Sequence, residues 1–212
     1  MLKLTVFGAT GGTGQQLVRQ ALAAGHRVTA IARHPEAITI ADPELAILSA
    51  DVLDPCWPGA GVDGADAVLS ALGARPMRPP TTTYSRGTAA IIAAMTTSGV
   101  SRLVTVSAIP LTPDSCKSLL ERRVVHPLLY RFFGGGYQDM RKMEKLLSET
   151  PIDWTVFRPA MLTSGPKTSH YRTATSGPLR HAWSISRADL AGAMLAAVND
   201  PATCRRAVTI AH

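Results

Sequence analysis

At 212 residues, with 46% apolar and 17% charged residues, the chain suits one α/β domain with a sizeable core and excludes a disordered protein or two full domains. No apolar run reaches the length of a membrane span, and strand-like sequence starts at Leu2, so neither a membrane helix nor a secretory signal is expected, and a cytoplasmic location is. The formal charge of +7 invites a nucleic-acid reading, but the arginines are spread along the chain in short clusters without a recognised motif, and a basic balance suits a ligand with several phosphates better.

The predicted elements begin with an apolar, β-branched run, Leu2 to Phe7, followed by Gly8-Ala-Thr-Gly11-Gly-Thr-Gly14 and a helical pattern from Gln15. Glycines between a first strand and a first helix let the backbone turn tightly. They also let a pyrophosphate approach the main chain, where a helix N-terminus offers unpaired N–H groups, which points to a dinucleotide. Leu17, Val18, Ala21 and Leu22 keep helical spacing, and Gly25 stands where a helix-ending residue belongs. Strands are expected over 27–32, 45–48, 67–70, 102–107 and 153–157, and a helix over 88–98 that stops at Gly99. Near the end, Ser186 is a candidate cap for a helix over 188–198, Asp189 suits its first turn, and 207–210 reads as a last strand.

Strands that are near-continuous apolar runs fit a sheet covered on both faces. Strand–helix alternation implies right-handed crossovers and a mainly parallel sheet, so the expected fold is a doubly wound, Rossmann-like α/β domain. The ligand of such a sheet lies beyond the carboxyl ends of its strands. That rule collects Gly8 to Gly14, Arg33, Asp51, Ala71 to Gly73, Ser107 and Arg158 to Ala160 into one site.

The residue after the second strand discriminates NAD from NADP, because a carboxylate there accepts the ribose 2′-hydroxyl whereas a cation holds a 2′-phosphate. Here it is Arg33, with no carboxylate before Glu36, which favours NADP(H) over NAD(H). After the third strand, Asp51 is a candidate acceptor for the adenine amine with Val52 offering its backbone; capping a turn is an equally ordinary role for Asp51. The three cysteines, Cys56, Cys116 and Cys204, form no Cys-x-x-Cys or Cys/His cluster, so reduced thiols and no metal site are expected.

Taken in order, the glycine turn, Ala32-Arg33-His34-Pro35, Ala50-Asp51-Val52, Arg158-Pro159 and Ser186-Arg187-Ala188-Asp189-Leu190-Ala191 resemble the atypical short-chain dehydrogenase/reductases. The resemblance is to the NAD(P)H-binding, NmrA-like group near biliverdin IXβ/flavin reductase, and it runs from Met1 to about Ile210. It implies a Rossmann sheet, NADPH, a small and planar flavin- or quinone-like acceptor over the nicotinamide, and either reductase activity or a non-catalytic NADP(H)-sensing role with a protein partner. It also implies cofactor contacts for Gly8, Thr10, Gly11, Gly12, Thr13 and Gly14 at the phosphates, Arg33 at the 2′-phosphate, and Asp51 and Val52 at adenine. Ala71, Leu72 and Gly73 would follow the ribose, with Ser107 and Ala108 beside the nicotinamide.

Reductases of this kind protonate a carbonyl with a Tyr-x-x-x-Lys pair, in which the cation lowers a phenol pKa that is otherwise about 10. This chain offers Tyr137 and Arg141, but Gly134 to Gly136 place Tyr137 at a helix entrance, and the family register puts Gly136 and Met140 at the dyad positions. Ser107 and Tyr137 are therefore the two catalytic candidates, each with a structural alternative. The flavin reductase branch also lacks the dyad, and where it carries a histidine after Arg-Pro this chain has Ala160. The stretch 110–136 alternates apolar pairs with Arg122, Arg123 and Arg131; it reads as a lid hinged at Gly134 to Gly136, a basic membrane- or partner-binding segment, or a helix packed on the domain edge.

Overall fold

The computed structural model describes residues 1–74, 80–111, 126–175, 179 and 181–212. Its strands are β1 (Lys3–Phe7), β2 (Arg27–Ala32), β3 (Leu45–Ser49), β4 (Ala67–Ser70), β5 (Arg102–Val106), β6 (Asp153–Pro159), β7 (Met161–Thr163), β8 (Arg172–Ala174), β9 (Ser184–Ser186) and β10 (Arg206–Ala211). The helices are α1 (Gly12–Ala23), α2 (Thr83–Thr97), α3 (His126–Glu149) and α4 (Arg187–Val198). Eight strands form one sheet in the order β3-β2-β1-β4-β5-β6-β10-β8, parallel throughout except for β8, which runs antiparallel to β10; β7 and β9 make a separate parallel pair. Chain order reverses between β1 and β4, and a crevice opens at that switch point.

Both faces of the sheet are covered. Leu4 and Val6 of β1 pack with Leu17, Val18 and Ala21 of α1 and Leu190, Ala191 and Met194 of α4. On the opposite face Phe7, Val68 and Leu103 meet Ile91 and Met95 of α2 and Met140, Met143 and Leu147 of α3. Burial on both sides is why these strands lack apolar–polar alternation. The buried Arg102 guanidinium ties the layers at the amino edge, donating to the carbonyls of Asp153, Ala197 and Val198 and to Thr155 Oγ1, so that it caps the end of α4.

The expected strands are all present with ends shifted by a residue or two, whereas three helix starts differ. Helix α1 begins at Gly12, three residues before the expected Gln15, because Gln15 N–H already reaches Gly11 O at 2.9 Å. Helix α2 begins at Thr83, and not at Thr88, because Asp139 of α3 accepts from the N–H groups of Tyr84 (2.8 Å) and Ser85 (3.3 Å) and from the Ser85 hydroxyl. Tyr137 is well inside α3, and Gly134 to Gly136 are helical instead of forming an entrance or hinge. Each glycine costs a helix about 1 kcal/mol relative to alanine. The buried face of Gly136, Tyr137, Asp139, Met140, Met143 and Leu147 against α2 offsets that cost. Of the predicted lid, 112–125 lies outside the described residues.

A second knot forms around Asp189 in the first turn of α4. Its fully buried carboxylate accepts from Thr168 N (2.9 Å), Ser169 N (2.7 Å), Thr168 Oγ1 (2.9 Å) and Ser186 Oγ (2.8 Å), and pairs with His212 Nε2 at 2.9 Å. Burial alone would favour the neutral acid, but the Ser169 amide and the His212, Ser186 and Thr168 side chains outweigh it and hold the pKa well below the usual carboxylate range. A depressed folded-state pKa contributes stability that is present above the unfolded value, about 3.9, and is lost as pH falls through the folded value. Urea unfolding of the protein and Asp189→Asn across pH should therefore show the widest gap in stability above about pH 5, narrowing below about pH 4. A gap that stays constant down to pH 3 contradicts this origin.

Candidate functional site

The site grows from the end of β1. Gly8 takes φ +72°, a left-handed conformation that side chains disfavour, and its carbonyl accepts from Gly11 N–H at 3.0 Å to close the turn. Ala71 N–H donates to Phe7 O at 3.0 Å, so the loop after β4 lies directly against this turn. A Cβ on Gly8 would stand 2.5 Å from Ala71 O, and one on Gly14 only 2.1 Å from Gly8 O. The turn closes only around bare backbone.

Helix α1 then presents a free N-terminus. Its N-cap, Gly11, supplies no side-chain bond, and its first turn holds no acidic residue. The leading N–H groups, at Gly12, Thr13 and Gly14, lack intrahelical acceptors by the geometry of any α-helix. An anion brought close to main chain is the ligand such an end favours.

The neighbouring strands bring the other predicted residues to the same rim. Register pairs Phe7 with Ser70 and Ser70 with Thr105, so Gly8, Ala71 and Ser107 follow strands that end side by side. Arg33 follows β2, is exposed and has no ion-pair partner among the described residues; Glu36 nearby pairs with His34 at 3.2 Å. Asp51 caps its own turn, with Oδ1 accepting from Leu53 N–H at 2.9 Å, and the Val52 side chain is buried in the core, leaving its backbone for a ligand. Thr10 and Ala108 are half-buried, Thr13 is buried, Ala71 and Leu72 are half-buried, and Gly73 is exposed.

Ser107, 3% exposed, donates its N–H to Phe157 O at 2.7 Å, while its hydroxyl is buried without a partner among the described residues, as are those of Ser70 and Thr88. Buried unpaired hydroxyls cost about 1–3 kcal/mol each. Those of Ser70 and Ser107 stand at the carboxyl ends of β4 and β5, beside a cradle that only glycine permits, which fits a dinucleotide lying across the switch point, while that of Thr88 lies within α2. Tyr137 is 8% exposed within the α2–α3 layer, while Arg141, four residues on, is exposed. Tyr137 and Arg141 thus differ in environment. Arg158 is occupied by a two-pronged pairing with Glu144 of α3, at 3.0 and 2.6 Å, and links α3 to the end of β6.

Sequence reasoning missed Tyr84 and Asp139. Tyr84 accepts the Ala74 N–H at 3.2 Å, pinning the loop after β4, and burial raises its phenol pKa. No local signal marks this pair, since the partners are distant in the chain.

A family model for NAD(P)H-binding proteins matches residues 8–201, nearly the whole chain. The chain belongs to the NAD(P)H-binding family. That membership bears out the resemblance to the atypical short-chain dehydrogenase/reductases. An uncharacterised chloroplastic protein of Arabidopsis thaliana is 32% identical over 176 residues, covering 79% of this chain and 62% of that protein's length. A Burkholderia pseudomallei protein of known structure is 28% identical over 100% of both chains, with a TM-score of 0.82. At the level of fold, the chain also matches a short-chain dehydrogenase/reductase from Veillonella parvula in complex with NADP (18% identity, TM-score 0.78, 100% of this chain and 94% of that one). A Streptococcus pneumoniae protein provisionally named an NADH-flavin reductase matches likewise (21%, 0.79, 100% of both chains). Among the described residues no helix is long and apolar enough to cross a membrane, and no cluster of His, Cys, Asp and Glu could hold a metal.

As a member of an NAD(P)H-binding family, the chain should not tolerate a side chain at Gly14. Gly14→Ala should lower stability by about 2–3 kcal/mol and weaken nucleotide binding more than tenfold. Gly73→Ala, where a Cβ would meet nothing within 4 Å, should retain the parent's stability in thermal melts.

Proposed function

We propose that this protein is an NADPH-dependent oxidoreductase that delivers hydride to a small, planar flavin- or quinone-like acceptor. The observation that carries the reading is the bare-backbone turn from Gly8 to Gly14 with the exposed Arg33, which has no ion-pair partner among the described residues, on the adjoining strand end. The reduced nicotinamide supplies the hydride. The protein's own residues bind and orient: Gly11 to Gly14 take the phosphates, Arg33 the 2′-phosphate, Val52 and Asp51 the adenine edge, and Ala71 to Gly73 the ribose. Ser107 and Ala108 stand beside the nicotinamide, where the unpartnered Ser107 hydroxyl can bond the carboxamide or the acceptor. The whole chain is taken as one domain in the cytoplasm, a location that suits the free Cys56 and Cys204.

One observation favours a second reading. A buried Tyr137 beside an exposed Arg141 is a poor proton donor pair, and a protein that binds NADP(H) and reports its redox state to a protein partner needs none. Proton delivery from solvent or Ser107 preserves the reductase reading without that pair.

NADPH consumption with a panel of flavins and quinones separates the two: turnover supports the reductase, and tight binding with no turnover supports the sensor. Cofactor choice has its own test. Loss of charge-assisted bonds to the 2′-phosphate costs about 1.5–3 kcal/mol, so Arg33→Ala should weaken NADPH binding about 10- to 100-fold. NADH binding should change less than about twofold. Equal losses for both nucleotides would remove Arg33 from the 2′-phosphate.

A further inference from the structure

We infer that Arg187, the first residue of α4, is a pyrophosphate-binding residue that closes over the glycine turn from the solvent side. The inference rests on the dinucleotide reading above and adds a residue from the far end of the chain. The side chain of Arg187 crosses the first turn of α1: a Cβ built on Gly12 would lie 2.7 Å from Arg187 Cδ, 3.1 Å from Nε and 3.9 Å from Cζ. Gly12 is therefore bare for two reasons. Its N–H belongs to the free helix end, and its missing side chain makes room for the arginine stem.

The electrostatics give this contact a function. A guanidinium and the positive end of a helix dipole repel each other, by an amount comparable with the gain an anion makes there. Nothing among the described residues neutralises the pair. The first turn of α1 contains no acidic residue, Gly11 contributes no cap, and the one described bond of the Arg187 guanidinium is to the neutral Ser164 hydroxyl at 3.3 Å. Asp189, two residues along the same helix, is taken up by Thr168, Ser169, Ser186 and His212. The same knot fixes the base of Arg187, because Ser186 caps α4 by accepting the Asp189 N–H at 2.9 Å. A doubly charged pyrophosphate between α1 and Arg187 satisfies both positive groups at once. Because NADP and NAD share that group, Arg187 supports affinity for both and Arg33 discriminates between them.

The test measures NADPH and NADH dissociation constants for the full-length protein, Arg187→Met and Arg187→Lys, with thermal unfolding in the absence of nucleotide as the control. Met keeps the stem that lies on Gly12 and removes the charge; Lys keeps a charge without the fork. The expected result is about a tenfold loss for NADPH and the same factor for NADH with Arg187→Met, a smaller loss with Arg187→Lys, and a Tm of the free protein that is not lowered in either and is slightly raised in Arg187→Met, where the repulsion is gone. Unaltered constants in Arg187→Met, while the parent binds normally, overturn this assignment and leave the dinucleotide reading intact. A loss confined to NADPH also overturns it, by moving Arg187 to the 2′-phosphate. Failure of the parent protein to bind either nucleotide overturns the dinucleotide reading and the inference with it. Should Arg187→Met lower the Tm, Arg187→Lys decides: NADPH and NADH constants equal to the parent's refute the role of the fork.

Discussion

The contact on which the molecule turns is backbone against backbone, where the chain leaving β1 meets the chain leaving β4. Gly8 lies against Ala71 O and Gly14 against Gly8 O at separations no Cβ can share. That approach places α1 so that its N-terminus points into the crevice where the strand order reverses. It also brings the ends of β1, β4 and β5 into one rim. A packing constraint in the fold is thus the same thing as the shape of the site, because the glycines that let the layers close are those that expose main-chain donors.

Around this contact the chain uses buried charge as fastening. Arg102 holds the amino edge, Asp139 caps α2 from α3, Glu144 grips Arg158 at the carboxyl end, and Asp189 gathers the 168–170 loop and the last residue of the chain. Arg102, Asp139 and Asp189, which are buried, each make several such bonds, as burial demands. At the carboxyl ends of the strands, among the described residues, the buried hydroxyls of Ser70 and Ser107 have no partner and Arg33 is exposed, while the half-buried Arg187 bonds the neutral Ser164 hydroxyl.

Much of this could be read from the sequence, for a physical reason. Parallel strands covered on both faces become uninterrupted apolar runs, so 27–32, 67–70 and 102–106 stand out, and Gly25 and Gly99, both at positive φ, mark the ends of α1 and α2. Helix starts were harder. The cap of α2 comes from Asp139, 55 residues beyond Tyr84, and no local pattern carries that partnership. Gly134 to Gly136 read as a break because their intrinsic preference opposes a helix, and tertiary packing overrides it. Strands β7, β8 and β9, three residues each, are too short to form a pattern. Ser186-Arg187-Ala188-Asp189 was legible as a capped helix start, but the approach of Arg187 to Gly12 follows from how α1 and α4 pack and has no local signature.

The most direct measurement is a crystal structure of the protein grown with NADP. The pyrophosphate should lie against the N–H groups at Gly12 to Gly14 with Arg187 on its outer side, the 2′-phosphate at Arg33 and the nicotinamide beside Ser107. A dinucleotide bound in the reverse direction, or away from the β1–β4 crevice, would contradict it.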